Sequence, residues 1–115
     1  MVEVIGTDEF TSWFDDLDDQ ATKAVVHGVD LLAQLGLALG HPYSSAINGS
    51  SIALRELRVQ AGGRPLRIFY AFDPARQAVL LIGGDKTGEK RFYESMIPIA
   101  ERLWKEYLNE IAKVE

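Results

Sequence analysis

Three apolar runs, "IALRELRV", "PLRIFYAF" and "QAVLLIGG", follow one another with only "QAGGR" and "DPARQ" between them. Each is rich in β-branched, aromatic or aliphatic residues, and the connecting residues are turn formers. Connections this short exclude parallel crossovers, which need a dozen residues or more. The three runs are therefore expected to form an antiparallel meander, and everything else in the chain must pack on it.

The flanking segments have helical period. Phe10, Trp13, Phe14 and Leu17 recur at helical spacing behind Thr7, a capping residue with Asp8 and Glu9 in the first turn. "DDQATKAVVHGVDLLAQLG" continues as a second helix, with Val25, Val29, Leu32 and Leu35 on one face and Gly36 as its stop. In this reading His27 sits among apolar neighbours and has a structural role. "LGHPYSSAINGSS" reads as a loop, and "MVEVIG" as a short edge strand. A last helix is expected over about Glu94 to Ala112, with Pro98 tolerated near its first turn. Its stripe is Met96, Ile99, Leu103 and Tyr107, widened by Ala100, Trp104, Leu108 and Ile111. The expected fold is α+β: an antiparallel sheet packed by an N-terminal helical hairpin and a C-terminal helix, as one domain over 1–115.

Charge is unevenly spread. The net charge is −5, yet residues 55–91 hold eight bases (Arg55, Arg58, Arg64, Arg67, Arg76, Lys86, Lys90, Arg91) against four acids. Residues 1–50 hold eight acids against Lys23. The basic half is a local footprint for a polyanion; the plainer account is that these side chains solvate strand edges. With no cysteine there is no disulfide or thiolate chemistry. No signal peptide and no membrane-spanning run are evident, so the cytoplasm is the expected compartment and no membrane partner is expected. No metal-ligand spacing occurs, no cofactor motif is present, and "GGDKTGEK" fails as a P-loop because Glu89 follows Gly88.

Strand alternation then sorts the polar side chains. Glu56 and Arg58 share one face of their strand, while Arg67 shares a face with Phe69 and Ala71. An arginine in the middle of a central strand needs solvent, a carboxylate or a ligand. Arg67 can pair with Glu56 or Asp85 as a structural bridge, or face a groove that receives a phosphate. What remains for chemistry is Arg58, Arg67, Lys86, Lys90, Arg91 and Tyr93, with Glu56 and Asp85 nearby; such a set can stabilise a phosphorane without an imidazole. Tyr93 can equally be packing against the terminal helix.

The order "ELR" strand, "R-I-x-Y" strand, aliphatic strand with a lysine-bearing turn, then "AERL" in a final helix resembles the RelE/HigB superfamily of bacterial toxins. The likeness is to its phage Gp49-like branch, whose helical hairpin and loop match "TDEFTSWFDDL" through "INGS". The resemblance implies ribosome-dependent cleavage of messenger RNA and a helix-turn-helix antitoxin as partner. It places Arg67, Lys86 and Tyr93 at catalytic positions and Arg58 at the close of the "ELR" strand. Arg58, Arg64, Lys90 and Arg91 would bind RNA, and Asp85, Glu56 or Tyr93 would serve as general base. Glu56 stands where a lysine is usual, and Thr87 and Glu89 replace arginines. Two alternatives share the fold: a ParE-like inhibitor of DNA gyrase that cuts nothing, and a degenerate toxin acting only through antitoxin binding. On the nuclease reading, Arg67 and Lys86 converge on one open hollow, and Gly83 and Gly84 admit the substrate closely.

Overall fold

The computed structural model describes residues 1–114. The elements run β1 (Val4–Gly6), α1 (Asp8–Asp15), α2 (Asp19–Leu35), a 3-10 turn (Gly36–Ala38), β2 (Ser44–Ala46), β3 (Arg55–Ala61), β4 (Arg64–Phe72), β5 (Ala78–Asp85) and α3 (Phe92–Val114). The sheet order is β1-β5-β4-β3-β2. β3, β4 and β5 form the expected antiparallel meander, β2 joins it antiparallel, and β1 adds parallel to β5. None of the helices among the described residues is long and apolar enough to cross a membrane.

Two cores lie on opposite faces of this sheet, as alternation requires. Leu57, Val59, Leu66, Ile68 and Tyr70 meet α1 and α2 on one side. Phe69, Ala71, Val79 and Leu81 meet Ala100, Leu103 and Trp104 of α3 on the other. Leu32, Leu57 and Ile68 are wholly buried, and each such side chain contributes roughly 2 kcal/mol of transfer free energy.

The helix starts follow the capping residues. Thr7 Oγ1 accepts from the Phe10 N–H at 3.0 Å, and Asp18 Oδ1 accepts from the Ala21 N–H at 2.8 Å. Gly36, at φ 52°, ends α2 and donates its N–H to the Leu32 carbonyl.

Four local expectations are corrected. The buried stripe of α2 is Ala21, Val25, Gly28 and Leu32. Leu35 is half exposed, and His27 is turned to the outside rather than packed in the core. Residues 44–46, read as loop, form β2. That strand is held by the Ser44 hydroxyl against Tyr70 Oη at 2.5 Å, with Arg55 Nε donating to both oxygens. Finally, α3 begins two residues before Glu94, which puts Pro98 in its second turn.

Candidate functional site

Arg67 lies mid-strand in β4, between Phe69 on its own face and Gly84 of β5. Glu56 sits on the adjacent β3, one diagonal step away, because Arg58 is the residue directly opposite Arg67. Arg67 Nε approaches Glu56 Oε1 at 3.3 Å, and the two side chains are only 6% and 10% exposed. Arg67 Nη1 donates to the Leu66 carbonyl at 3.0 Å. The Nε–H itself is buried with no aligned acceptor, so Glu56 balances its charge without completing its hydrogen bond.

The Glu56 carboxylate is the hub of the cluster. Its Oε1 accepts from the Tyr93 hydroxyl at 2.6 Å, and its Oε2 accepts from Ser45 Oγ at 3.0 Å. Tyr93 reaches it from the first turn of α3, and Ser45 from β2, where the two residues are direct cross-strand partners. Lys86, just beyond β5, places Nζ 5.1 Å from the Tyr93 ring centroid, within cation–π range. Phe69 meets the same ring edge-on at 6.1 Å. Burial, and then the hydrogen bond to Glu56, push the Tyr93 phenol above its ordinary value. Tyr93 therefore keeps its proton at neutral pH. A buried carboxylate with two hydroxyl donors, beside a guanidinium and an ammonium, can exchange protons with a substrate hydroxyl and neutralise a phosphate.

Arg67, Lys86, Tyr93 and Glu56 are thus brought together, with Arg58 half-buried alongside. Other expected members lie elsewhere. Arg64 turns to the opposite sheet face, where it meets Asp18 at 3.0 Å. Asp85, paired with Leu66, shares that opposite face and accepts from the Thr87 N–H at 2.9 Å. Those Thr87 hydrogen bonds hold the Asp85 carboxyl below its usual range. Glu56 is therefore the carboxylate within reach of Arg67, and Asp85 is not. Lys90 and Arg91 stand exposed in the turn before α3, Arg91 at 3.9 Å from Glu94.

The expected single hollow shared by Arg67 and Lys86 does not form: Arg67 is 5% exposed and paired with Glu56, and the cleft that it borders is not lined by Lys86. The glycines also serve a different end. A Cβ on Gly83 would lie 2.3 Å from the Trp13 ring, and one on Gly84 2.9 Å from Phe92. They let helices from both sides approach β5, so they admit packing rather than substrate.

Sequence reading missed Ser45, hidden in a stretch without strand alternation. It also missed a cleft of about 680 Å³ along β3, which Tyr43, His27 and Gln60 line together with Arg58 and Arg67. The exposed aromatic Tyr43 beside a proline was the available signal. Among the described residues, no group of three His, Cys, Asp or Glu side chains is placed to hold a metal ion.

Residues 12–105 match the family described as phage-derived protein Gp49-like. The chain is 44% identical over 98 residues to the toxin candidate HigB3 of Mycobacterium tuberculosis, covering 84% of each chain. It is 35% identical over 104 residues to the toxin candidate HigB2 of the same organism, covering 88% of this chain and 52% of that protein, so it spans about half of the second relative. No solved structure matches.

Proposed function

The chain belongs to the Gp49-like family, among HigB-type toxins of toxin–antitoxin systems, and from that premise we propose that it cuts messenger RNA on the ribosome. The observation that carries this reading is the buried Arg67 Nε, charge-balanced by Glu56 yet without a hydrogen-bond acceptor. Leaving a buried donor unmade costs about 1–3 kcal/mol, which a phosphate oxygen would recover once the Arg67 side chain turns its Nε–H toward it.

In the proposed reaction Glu56 takes the proton from a ribose 2′-hydroxyl, and that oxygen attacks the adjacent phosphorus. Arg67 and Lys86 neutralise the non-bridging oxygens as negative charge builds on them. The bond from phosphorus to the 5′-oxygen breaks, and the leaving oxygen takes the Tyr93 proton. Glu56 returns its proton to Tyr93 through the 2.6 Å contact. The products are a 2′,3′-cyclic phosphate and a 5′-hydroxyl, with every proton accounted for. No metal or cofactor enters this scheme. A helix-turn-helix antitoxin is the proposed partner, and the cytoplasm the proposed compartment.

The 5% exposure of Arg67 favours a second reading, a toxin that acts by binding alone, on gyrase or through its antitoxin. Primer extension on a message translated in a purified ribosomal system separates the two. Wild-type chain is expected to leave discrete cuts, and Lys86→Ala and Glu56→Gln chains, checked for folding by circular dichroism, to leave few or none. Intact transcripts with wild-type chain at ribosome stoichiometry would end the nuclease reading in favour of the binding one.

A further inference from the structure

Seventeen acidic residues stand in this chain against twelve basic ones, yet among the described residues no acid lines the cleft along β3. That cleft, of about 680 Å³, is walled by Lys23 and His27 of α2, by Tyr43, and by Arg58, Gln60 and Arg67 of the sheet, over an apolar floor. In a protein of net charge −5 such a lining fits an anionic occupant. Two further features narrow its chemistry. Tyr43 is 48% exposed, a large aromatic face left open beside the basic residues. The β2 pairing ends at Ser44, opposite Leu57, and beyond the Arg58 N–H, which donates to the Tyr43 carbonyl at 2.8 Å, this edge of β3 continues to Gln60 with no strand beside it. The cleft therefore offers a flat π surface, an amide able to make paired hydrogen bonds, and guanidinium groups.

We infer that this cleft is a nucleotide subsite, which stacks one base of single-stranded RNA on Tyr43 and holds its phosphate on Arg58 and Arg67. The inference rests on the proposed RNA cleavage and extends it to substrate selection. Unstacked bases are recognised on aromatic faces and read along their edges by side-chain amides, which assigns stacking to Tyr43 and edge contacts to Gln60. Arg67 belongs to both the cleft and the Glu56 cluster. A nucleotide seated in the cleft thus brings its phosphate up to the Arg67 guanidinium. An acidic peptide is the competing occupant, but it would leave the Tyr43 face and the Gln60 amide without matching chemistry.

The test is fluorescence anisotropy with the full-length chain and a labelled 2′-O-methyl tetraribonucleotide, which lacks the attacking hydroxyl and cannot be cut. Saturable binding is expected, weakened about tenfold or more by Tyr43→Ala and retained by Tyr43→Phe. Arg102→Ala, on the outer surface of α3, is expected to leave it unchanged. Equal affinity in wild type and Tyr43→Ala, or an equal loss in Arg102→Ala, would overturn the subsite. So would binding of a labelled hexaglutamate peptide where the oligonucleotide fails to bind. The primer-extension result is independent. Discrete cuts without a Tyr43 effect would keep the nuclease and remove the subsite, whereas Tyr43-dependent binding without cuts would do the reverse.

Discussion

Arg58 and Arg67 face one another across the β3–β4 ladder, two like charges at directly paired positions with the Glu56 carboxylate beside them. Like charges in that relationship are destabilising unless a counter-charge sits close. Glu56 is that counter-charge, so it carries a structural duty as well as the proposed catalytic one.

Removing the charge while keeping the shape tests this. Glu56→Gln leaves Arg67 buried without its anion and is expected to destabilise the fold by about 3 kcal/mol. For a domain of this size that lowers Tm by roughly 10–20 °C. Adding Arg67→Met is expected to restore much of the loss, since no buried charge then remains. A Glu56→Gln chain that melts with wild type would rule out the ion pair as a support of the sheet.

Tyr93→Phe removes the 2.6 Å hydrogen bond while the ring keeps its contacts with Phe69 and Lys86. A bond to a charged acceptor contributes about 2 kcal/mol, so a moderate fall in stability is expected. Message cleavage is expected to fall roughly a hundredfold, the ordinary contribution of a positioned proton donor. Cleavage at the wild-type rate in primer extension would exclude the phenol from proton transfer.

Gly83→Ala is a packing prediction. The new methyl would sit 2.3 Å from the Trp13 ring, forcing α1 off the sheet. A cost of about 3 kcal/mol is expected, with a red shift of tryptophan fluorescence as the indole meets water. The double variant Gly83→Ala/Trp13→Ala is expected to lose less stability than the two single variants lose in sum. Strict additivity in urea melts would mean that the two residues do not share this space.

Alkaline stability is set in part by Tyr107, whose phenol donates to the buried Asp73 carboxylate at 2.6 Å. Burial first, and then Asp73, push its pKa up from 10.0 to about 12. The unfolded phenol loses its proton near 10 while the folded one retains it, so this contribution is whole below that point. It drains away as pH climbs from 10 toward about 12. Urea melts between pH 9 and about 12 are expected to show a steeper decline for wild type than for Tyr107→Phe. Parallel declines would separate Tyr107 from the alkaline transition.

What the sequence disclosed, and what it withheld, follows from the range of each signal. Strand alternation is local, so it set Glu56 beside Arg58 and Arg67 beside Phe69 on their own strands, and Glu56 stood with Asp85 among the possible partners of Arg67. The antiparallel meander was legible for the same reason. β2 was not, because Ser44–Ala46 has no alternation; its place is fixed by a hydroxyl that meets Tyr70, in a strand far along the chain. The glycines near the end of β5 were misread because their neighbours, Trp13 and Phe92, come from elements on opposite sides of the sheet. His27 was given a structural role because its neighbours along the sequence are apolar. The helix in fact turns Gly28 to β3, where a methyl would lie 3.1 Å from Val59, and that rotation swings His27 out.

The parallel pairing of β1 with β5 joins Val4 to Ala78, and the Glu56 cluster is complete only when Tyr93 arrives with α3. Neither the first border of the sheet nor the Glu56 cluster can form before β5 and the start of α3 have been made. On the proposed nuclease reading, a nascent chain therefore carries no assembled cutting group until the residues through Tyr93 have been made.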